Sequence, residues 1–392
     1  MNCNISPEIS ETGVEYAMHS LYALFSRITD HRKQKGMRYS LVTLLAIIFL
    51  AKLCGQDKPV EIADWAKNNA EKLSELLKLT RKVMPHHNTY RRVFQNMISS
   101  EEFDEEMSKH HQTKGEELGD VFCLDGKVLR GTQMAGVKRS DQVLSLFDGA
   151  SQRVLAQEPI ETKENEIVAA PVVLKRIDLT GKIVTADALH TQRKLSSQII
   201  LAGNYVFPVK DNQERLRENI EQLFAPEIPK PGFGKIKTDF ETATQVSYGH
   251  GRIEIRTIQT SEMLNEYLDW PGVKQVYRLD REFHWLRQGT VFKSSYEIEY
   301  GITSLSRELA SPQKLLAVRR QHWCIETGLH YRRDVTFKED ATRMTKGKAG
   351  HILGTIHNLV LALLKSAGFT NTAKARRWFA GHLPDAFDLL LA

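Results

Sequence analysis

Apolar residues follow a helical spacing from about residue 14 to residue 112, with an apolar side chain at every third or fourth position. The most apolar stretch runs from residue 41 to residue 53 and contains Lys52. It is shorter than the roughly 20 residues that span a bilayer, so it predicts a buried core helix. Ser99 and Glu102 predict a capping box for a later helix. The pattern predicts an all-helical N-terminal domain over residues 1–112.

Short apolar runs bounded by Gly and Asp replace the helical spacing near Gly119. They predict strands and helices in the order strand 121–124, strand 143–147, strand 153–157, helix 164–177, strand 182–186, helix 191–201, strand 205–209. Pro208 cannot donate a ladder hydrogen bond, which predicts an edge strand. Three hairpin-linked strands followed by two helix-linked strands indicate a mixed sheet of the α/β or α+β class over residues 113–213.

Residues 214–305 break this alternation and predict a β-rich insertion. The segment opens with a helix to residue 224, passes a Pro/Gly-rich loop at 226–234, and contains strand-like runs near 252–258, 273–280 and 297–303. Helices at 312–331 and 351–365 are predicted for the closing region, residues 306–392.

Composition is that of a globular protein, with 54 Lys and Arg against 48 Asp and Glu, a difference of +6. Residues 311–350 hold nine basic and four acidic side chains, so this segment carries +5 of that charge. It is typical of a polyanion-binding segment or of a solvated helix face. The four cysteines are too scattered for a disulfide framework, and the first residues lack the basic and then apolar pattern of a signal peptide. Both observations favour a soluble cytoplasmic protein without a membrane segment.

Two acids follow apolar strands, Asp125 and Asp187. Ligands of open α/β sheets bind at this edge, and two neighbouring carboxylates repel unless a divalent cation lies between them. An acid after a strand can also be a simple turn former, which is how we interpret Asp148 before Gly149.

A third acid, Glu326, lies in the basic segment. Its spacing from Arg319, His322 and Arg333 places the four on one helical face, provided that the helix continues that far, opposite the apolar residues Leu315, Val318, Ile325 and Leu329. One carboxylate among basic groups fits a metal ligand surrounded by phosphate contacts. The alternative is ordinary charge pairing along an exposed helix. Trp323 is interpreted as a core residue.

Six short strings occur in a fixed order along the chain. They are Leu124-Asp-Gly-Lys-Val-Leu-Arg-Gly131, Lys163-Glu-Asn-Glu-Ile167, Thr185-Ala-Asp-Ala-Leu-His-Thr-Gln192, Lys210-Asp-Asn-Gln213, Gly249-His-Gly-Arg-Ile-Glu254 and His322-Trp-Cys-Ile-Glu326. Together they resemble the bacterial insertion-sequence transposases of the ISAs type, the H-repeat-associated proteins of the DDE superfamily. The resemblance spans roughly residues 20–365.

This resemblance implies a ribonuclease H-like domain whose five strands take the order 3-2-1-4-5, with Asp125 beside Asp187. Glu326 would complete the catalytic triad beyond the β-rich insertion, and the three acids would ligate Mg²⁺, with Mn²⁺ as a substitute. The implied partners are DNA, as terminal inverted repeats and target, and a second copy of the chain in a homodimer on DNA. The N-terminal helical domain would recognise the element ends, and the protein would be associated with the nucleoid.

Several basic residues are predicted to contact DNA. Arg319, His322 and Arg333 would hold phosphates, Lys210 belongs to one of the matching strings, and Lys127 with Arg130 are either phosphate contacts or ordinary surface charges. His190 would touch the metal-bound water or cap the following helix.

The chain departs from the family pattern after Glu326, where it reads Thr327-Gly-Leu-His-Tyr331 and then Arg332-Arg333. Gly328 weakens a helix by about 1 kcal/mol relative to Ala. The predicted function is a DDE transposase that cleaves element ends and joins them to a target. The alternatives are a metal-dependent nuclease that does not join DNA, and an inactive or domesticated DNA-binding protein.

Overall fold

The computed structural model describes residues 7–113, 118–133, 136, 140–160, 166–226 and 237–392. The first three residues of the string at 163–167 and most of the predicted Pro/Gly-rich loop lie outside these ranges. The helices are α1 Leu21–Arg27, α2 Leu41–Leu53, α3 Pro59–Asn68, α4 Ala70–Leu76, α5 His87–Arg92, α6 Ser100–Thr113, α7 Glu166–Lys175, α8 Arg193–Ile199, α9 Glu214–Leu223, α10 Pro312–Ile325, α11 Ala349–Ser366, α12 Thr372–Gly381 and α13 Leu383–Leu391.

The strands form a small two-stranded sheet and a mixed nine-stranded sheet. They are β1 Glu8–Ile9, β2 Glu15–Tyr16, β3 Val121–Leu129, β4 Asp141–Asp148, β5 Arg153–Ile160, β6 Ile183–Ala186, β7 Asn204–Val209, β8 Glu241–Gly249, β9 Arg252–Ser261, β10 Gln275–Arg287 and β11 Thr290–Thr303. The large sheet has the order β5-β4-β3-β6-β7-β11-β10-β9-β8.

The chain divides into two compact units built from interleaved segments. The first unit, here the helical unit, comprises Met1–Gly119, Gly126–Asn165 and Ile325–Ala392. The second, here the sheet unit, comprises Asp120–Asp125 and Glu166–Cys324. The predicted domain boundaries group the residues differently, because the N-terminal helices share their unit with the β4–β5 hairpin and with α11 to α13.

Helix α2 is the centre of the helical unit, as the uninterrupted apolar run predicted. Ser40 caps it by accepting a hydrogen bond from the Thr43 amide. Lys52 is fully buried, and its Nζ donates to the carbonyl of Asp57 at 2.6 Å. Burial lowers the pKa of Lys52 to about 8. Among the described residues, no helix combines the length and apolar character that a bilayer crossing requires.

Helix α6 begins as predicted, since Ser99 Oγ accepts the amide N–H of Glu102 at 3.2 Å. The Glu102 carboxylate does not complete a capping box. Instead it accepts hydrogen bonds from the amide and the hydroxyl of Thr29, so it fastens the loop after α1.

The described residues of the sheet unit form two parallel and four antiparallel strand pairs. Strand β3 pairs with β6 and β6 with β7 in parallel, and β7, β11, β10, β9 and β8 follow as antiparallel neighbours. Its core packs α10 onto this sheet through Leu315, Leu316 and Val318.

One sequence prediction about the sheet was wrong. Strands β8 to β11 lie in the region of the predicted β-rich insertion, and β11 pairs with β7 and so continues the same sheet. Pro208 therefore lies opposite Gly301 on an interior strand and not at an edge. The strand tolerates this proline because the pairing of β6 with β7 ends at Val206, before Pro208 is reached.

Candidate active site

Asp125 and Asp187 occupy matching positions on two neighbouring strands of the sheet unit. Leu124 lies opposite Ala186 in the parallel pair β3 and β6, and each aspartate is the next residue along the chain. Neighbouring strands are about 4.8 Å apart, and residues one step past a register pair leave on the same face. The predicted adjacency of the two strands is confirmed. Asp125 is half-buried, and the Asp187 side chain is 68% exposed.

His322, on α10, approaches the end of β6. Its Nε2 lies 3.5 Å from Oδ1 of Asp187, and its Nδ1 lies 3.2 Å from the Thr185 hydroxyl. The hydrogen bond from His322 holds the pKa of Asp187 below its usual value, and the charges of Lys210 and Arg319 contribute to the lowering. The lowered pKa extends the ionised form of Asp187, which is the form that binds cations, to lower pH.

Arg319 lies one turn before His322 and is almost fully buried. Its Nε and Nη2 donate to the two carboxylate oxygens of Glu299 at 2.8 and 3.0 Å. Burial alone raises the pKa of Glu299, but the Arg319 guanidinium offsets this and brings the pKa below its usual value. Tyr277 donates to the same carboxylate at 3.3 Å. Arg319 was predicted to contact phosphate. In the structure its guanidinium is held by Glu299 inside the protein.

The Tyr277 ring needs a glycine opposite it. Gly301 is its partner across the β10–β11 pair, and a Cβ there would lie 2.1 Å from the ring. Only a glycine leaves room for the tyrosine that reaches Glu299.

Lys210 and His190 differ in their access to solvent. Lys210 is exposed directly after β7, whereas His190 is fully buried and its Nε2 lies 3.2 Å from Oε2 of Glu166. His190 does not cap α8, whose cap is Gln192. In this conformation His190 is an internal partner of Glu166 and presents no surface to DNA.

Glu326 begins a π-helical segment, Glu326–His330, in the helical unit and is exposed. The regular helix α10 ends one residue earlier, at Ile325, and the chain stays helical through Tyr331, so the predicted helix 312–331 changes from α-helical to π-helical after Ile325. A π-helical turn holds more residues than an α-helical turn, and therefore Arg333 does not keep the predicted helical face. The predicted apolar face is confirmed, because Leu315, Val318, Ile325 and Leu329 are all buried.

Trp323 was predicted to be a core residue, and this was wrong. Its side chain is 49% exposed on α10, with the Arg281 guanidinium 5.7 Å from the ring centroid. Helical spacing alone placed it at the border of the apolar face, where burial is decided by the neighbouring strands.

Arg333 is buried in the helical unit and not exposed as a DNA contact would be. Its guanidinium donates to both oxygens of Glu339 at 2.9 and 2.7 Å, and His357 Nδ1 contacts the same carboxylate at 2.7 Å. A Cβ on Gly354 would lie 2.3 Å from the guanidinium. A phosphate could reach Arg333 only if this cluster opened.

Lys127 and Arg130 lie on the strand end and turn that follow Asp125. Lys127 is 6% exposed and its Nζ lies 2.6 Å from Oδ1 of Asp334. Arg130 is exposed. Of the two, only Arg130 offers its charge to solvent, and Lys127 neutralises an internal acid.

Two adjacent carboxylates are suitable ligands for a hard divalent cation such as Mg²⁺. The carboxylate oxygens of Asp125 and Asp187 are the kind of ligand that such an ion prefers, and a cation between them would remove their mutual repulsion. In the ranges that the structure describes, no group of three or more His, Cys, Asp or Glu side chains is arranged to hold a metal ion.

Sequence reasoning missed the partners of the predicted site residues. Thr185 belongs to the same string as Asp187, and its place two residues earlier on the strand was a usable signal, because alternate residues share a face. Glu299, Asp334 and Glu339 carried no such signal, since their basic partners are 20, 207 and 6 residues away and pair only through the tertiary fold.

Comparison with known proteins places most of the chain in one family. Residues 116–363 match the family described as Transposase DDE domain, and residues 22–111 match the region described as associated with that domain.

Individual relatives cover most of the chain at moderate identity. The chain is 29% identical over 358 residues to "Putative transposase YncI" of Escherichia coli O157:H7, covering 89% of this chain and 88% of that protein. It is 27% identical over 349 residues to "H repeat-associated putative transposase YhhI" of Escherichia coli K12, covering 86% and 88%. A piggyBac transposase in a synaptic complex with hairpin DNA matches at 11% identity with a TM-score of 0.42, covering 94% of this chain and 77% of that one. This last likeness is too weak to bear on the fold.

Proposed function

The chain belongs to the family of the transposase DDE domain, and we propose that it is a DNA transposase that cleaves insertion-sequence ends and joins them to target DNA. The chief support is the register of β3 with β6, which puts Asp125 beside Asp187 directly after the last register pair of the two parallel strands, Leu124 with Ala186. The strand order β5-β4-β3-β6-β7 supports a ribonuclease H-like assignment, since it equals the predicted 3-2-1-4-5.

Asp125, Asp187 and Glu326 would hold Mg²⁺ or Mn²⁺. When bound, such ions lower the pKa of an attacking water or 3′-hydroxyl and neutralise charge on the departing oxygen. Glu326 carries an exposed carboxylate, and we propose that it is the third ligand.

The remaining residues orient these ligands and contact DNA. His322 lowers the pKa of Asp187, and Arg319, fixed by Glu299, stabilises the surroundings of both residues. Lys210 and Arg130 are exposed and would contact backbone phosphates, which contribute affinity that falls with salt.

An in vitro joining assay tests the proposal. The full-length protein is incubated with Mg²⁺, a target plasmid and labelled duplex DNA carrying the inverted repeats that flank its gene. We expect covalent donor–target products. D125N and D187N should lower the yield by at least about 100-fold, since a change in the outer shell of a metal site already costs 10- to 100-fold. D388N, which alters an exposed acid on α13, should leave the yield unchanged.

Each of the other outcomes of this assay would indicate a different function. Cleavage without joining would indicate a nuclease, and binding without cleavage by the wild type would indicate a DNA-binding protein. Full activity of D187N with an unchanged melting temperature would remove the proposed site. Measurement of mass on end DNA tests the proposed homodimer, and fractionation with the nucleoid tests the proposed place of action.

A further inference from the structure

A basic cleft lies in the helical unit, far along the chain from the proposed catalytic residues. Its volume is about 590 Å³, and its walls are the loop before α2 and the loop before α5. We name it the basic cleft and define it by its six cationic lining residues, Arg32, Lys33, Lys35, Arg38, Arg81 and Arg92. No acidic side chain is among the lining residues that the structure describes.

The walls are held together by contacts that leave most of these charges to solvent. Arg32 is anchored, because its guanidinium donates to both oxygens of Asp30 and to the Tyr39 carbonyl. Tyr39 in turn donates from its hydroxyl to the carbonyl of Val83 on the opposite wall. Lys33, Lys35, Arg38, Arg81 and Arg92 are exposed. Hydrogen bonds therefore hold the walls of the cleft together, and five of its cationic side chains are exposed to solvent.

The cations that line the basic cleft indicate which class of ligand it binds. Pockets of 300–1,000 Å³ that hold small molecules are mostly apolar with a few polar groups, whereas this one is rimmed by cations. Cations gathered without acids repel one another, and a polyanion that neutralises them gains counterion release. Met84 and Pro85 also line the cleft and are buried, whereas five of its cations are exposed, so a DNA backbone could reach these charges from solvent.

We infer that the basic cleft binds the sugar–phosphate backbone of duplex DNA and that it does so independently of base sequence. The inference rests on the proposed function, which makes DNA the partner, and assigns to the N-terminal region a contact surface that is separate from the acidic residues. Phosphate contacts fix the register of a protein on DNA and carry no sequence information themselves.

Equilibrium binding tests this without any chemistry. The full chain carrying D187N is titrated with a fluorescent duplex at several salt concentrations, and the dependence of log Kobs on log salt is measured. The test variant adds K35Q, R38Q, R81Q and R92Q, which spares the anchoring Arg32. The control variant instead adds K72Q, K365Q, K374Q and R377Q, an equal charge change at exposed positions.

We expect the test variant to bind at least about tenfold more weakly and its salt dependence to be shallower by up to about 4, near 0.9 for each lost phosphate contact. The loss should be equal on end DNA and on an unrelated duplex of the same length. The control variant should keep the parental slope, and both should keep the parental melting temperature.

A slope equal to that of the control, or a loss confined to end DNA, would overturn the inference. The binding titration does not measure joining, so the two proposals can fail separately. A shallower slope together with no joining in the joining assay would support the basic cleft and contradict the transposase. Normal joining together with an unchanged slope would support the transposase and contradict the DNA contact at the basic cleft.

Discussion

Arg319 is a buried cation beside a proposed cation site, and its pairing explains how the sheet unit tolerates it. The bidentate contact with Glu299 compensates the charge, which matters because an unpaired buried charge costs several kcal/mol. Its Nη1 has no hydrogen-bond partner among the described residues. Arg319 is therefore best regarded as a positioning residue that stabilises the surroundings of His322 and Asp187.

His357 is the residue whose ionisation should govern acid stability. Burial lowers the pKa of His357 to about 3, from an ordinary value near 6.5. Between these values the unfolded chain binds a proton that the folded chain does not, so stability falls as the pH drops below about 6.5. Burial also lowers the pKa of His330 to about 3. Glu339, whose pKa is depressed by Arg333 and His357 despite its burial, loses its contribution only below about pH 4.5.

H357N should reduce this acid sensitivity, because Asn keeps a donor for Glu339 and cannot take up the proton. Urea unfolding between pH 5 and 7 should give a slope smaller by about one proton, which is roughly 1 kcal/mol per pH unit. H19N, which removes an exposed imidazole, is the matched control. An unchanged slope in H357N would show that the buried imidazole is not the source.

At the scale of elements, the departure at Gly328 has a structural reason. Gly328 lies in the π-helical segment, and a Cβ there would come within 2.7 Å of the Gln152 side-chain amide. That amide donates to the Gly149 carbonyl at 2.8 Å and accepts from Arg332 at 3.1 Å. Replacing the glycine would displace a side chain that connects the β4–β5 turn to the segment after Glu326.

G328A should therefore not gain the roughly 1 kcal/mol expected from helix propensity. We expect G328A to be neutral or destabilising in the wild-type background, and to stabilise by about 1 kcal/mol when Q152G removes the amide. Gln152 has a positive φ of 59°, so Gly is accepted there. Unfolding free energies of the four proteins give the coupling, and strict additivity would contradict the proposed contact.

Elements with local signals were predictable from the sequence, and long-range pairings were not. Helix α2 was predicted at its observed bounds, because an apolar run of 13 residues leaves few alternatives. The neighbouring strands of Asp125 and Asp187 followed from their strings. The addition of β11 to β7 and the end of α10 at Ile325 depend on contacts between distant segments, which a single sequence does not encode in any short pattern.

For the whole molecule, the helical unit is assembled from three stretches of chain that depend on each other. Arg376 of α12 donates to the Lys52 carbonyl at 2.9 Å and to Asp57 at 2.6 Å. His351 of α11 contacts Asp104 at 2.5 Å. The N-terminal helices therefore complete their polar contacts with residues that lie hundreds of positions later.

Residues 1–112 expressed alone should consequently not form a stable domain, although the sequence predicted one. Without α11 to α13, the apolar surface of α2 would be exposed and Asp57 and Asp104 would lose the partners that compensate their burial. We expect a broad thermal transition, dye binding to exposed apolar surface and poorly dispersed amide resonances, compared with a cooperative transition for the full chain. A sharp, cooperative transition with dispersed resonances for 1–112 would mean that the C-terminal helices are dispensable for this fold.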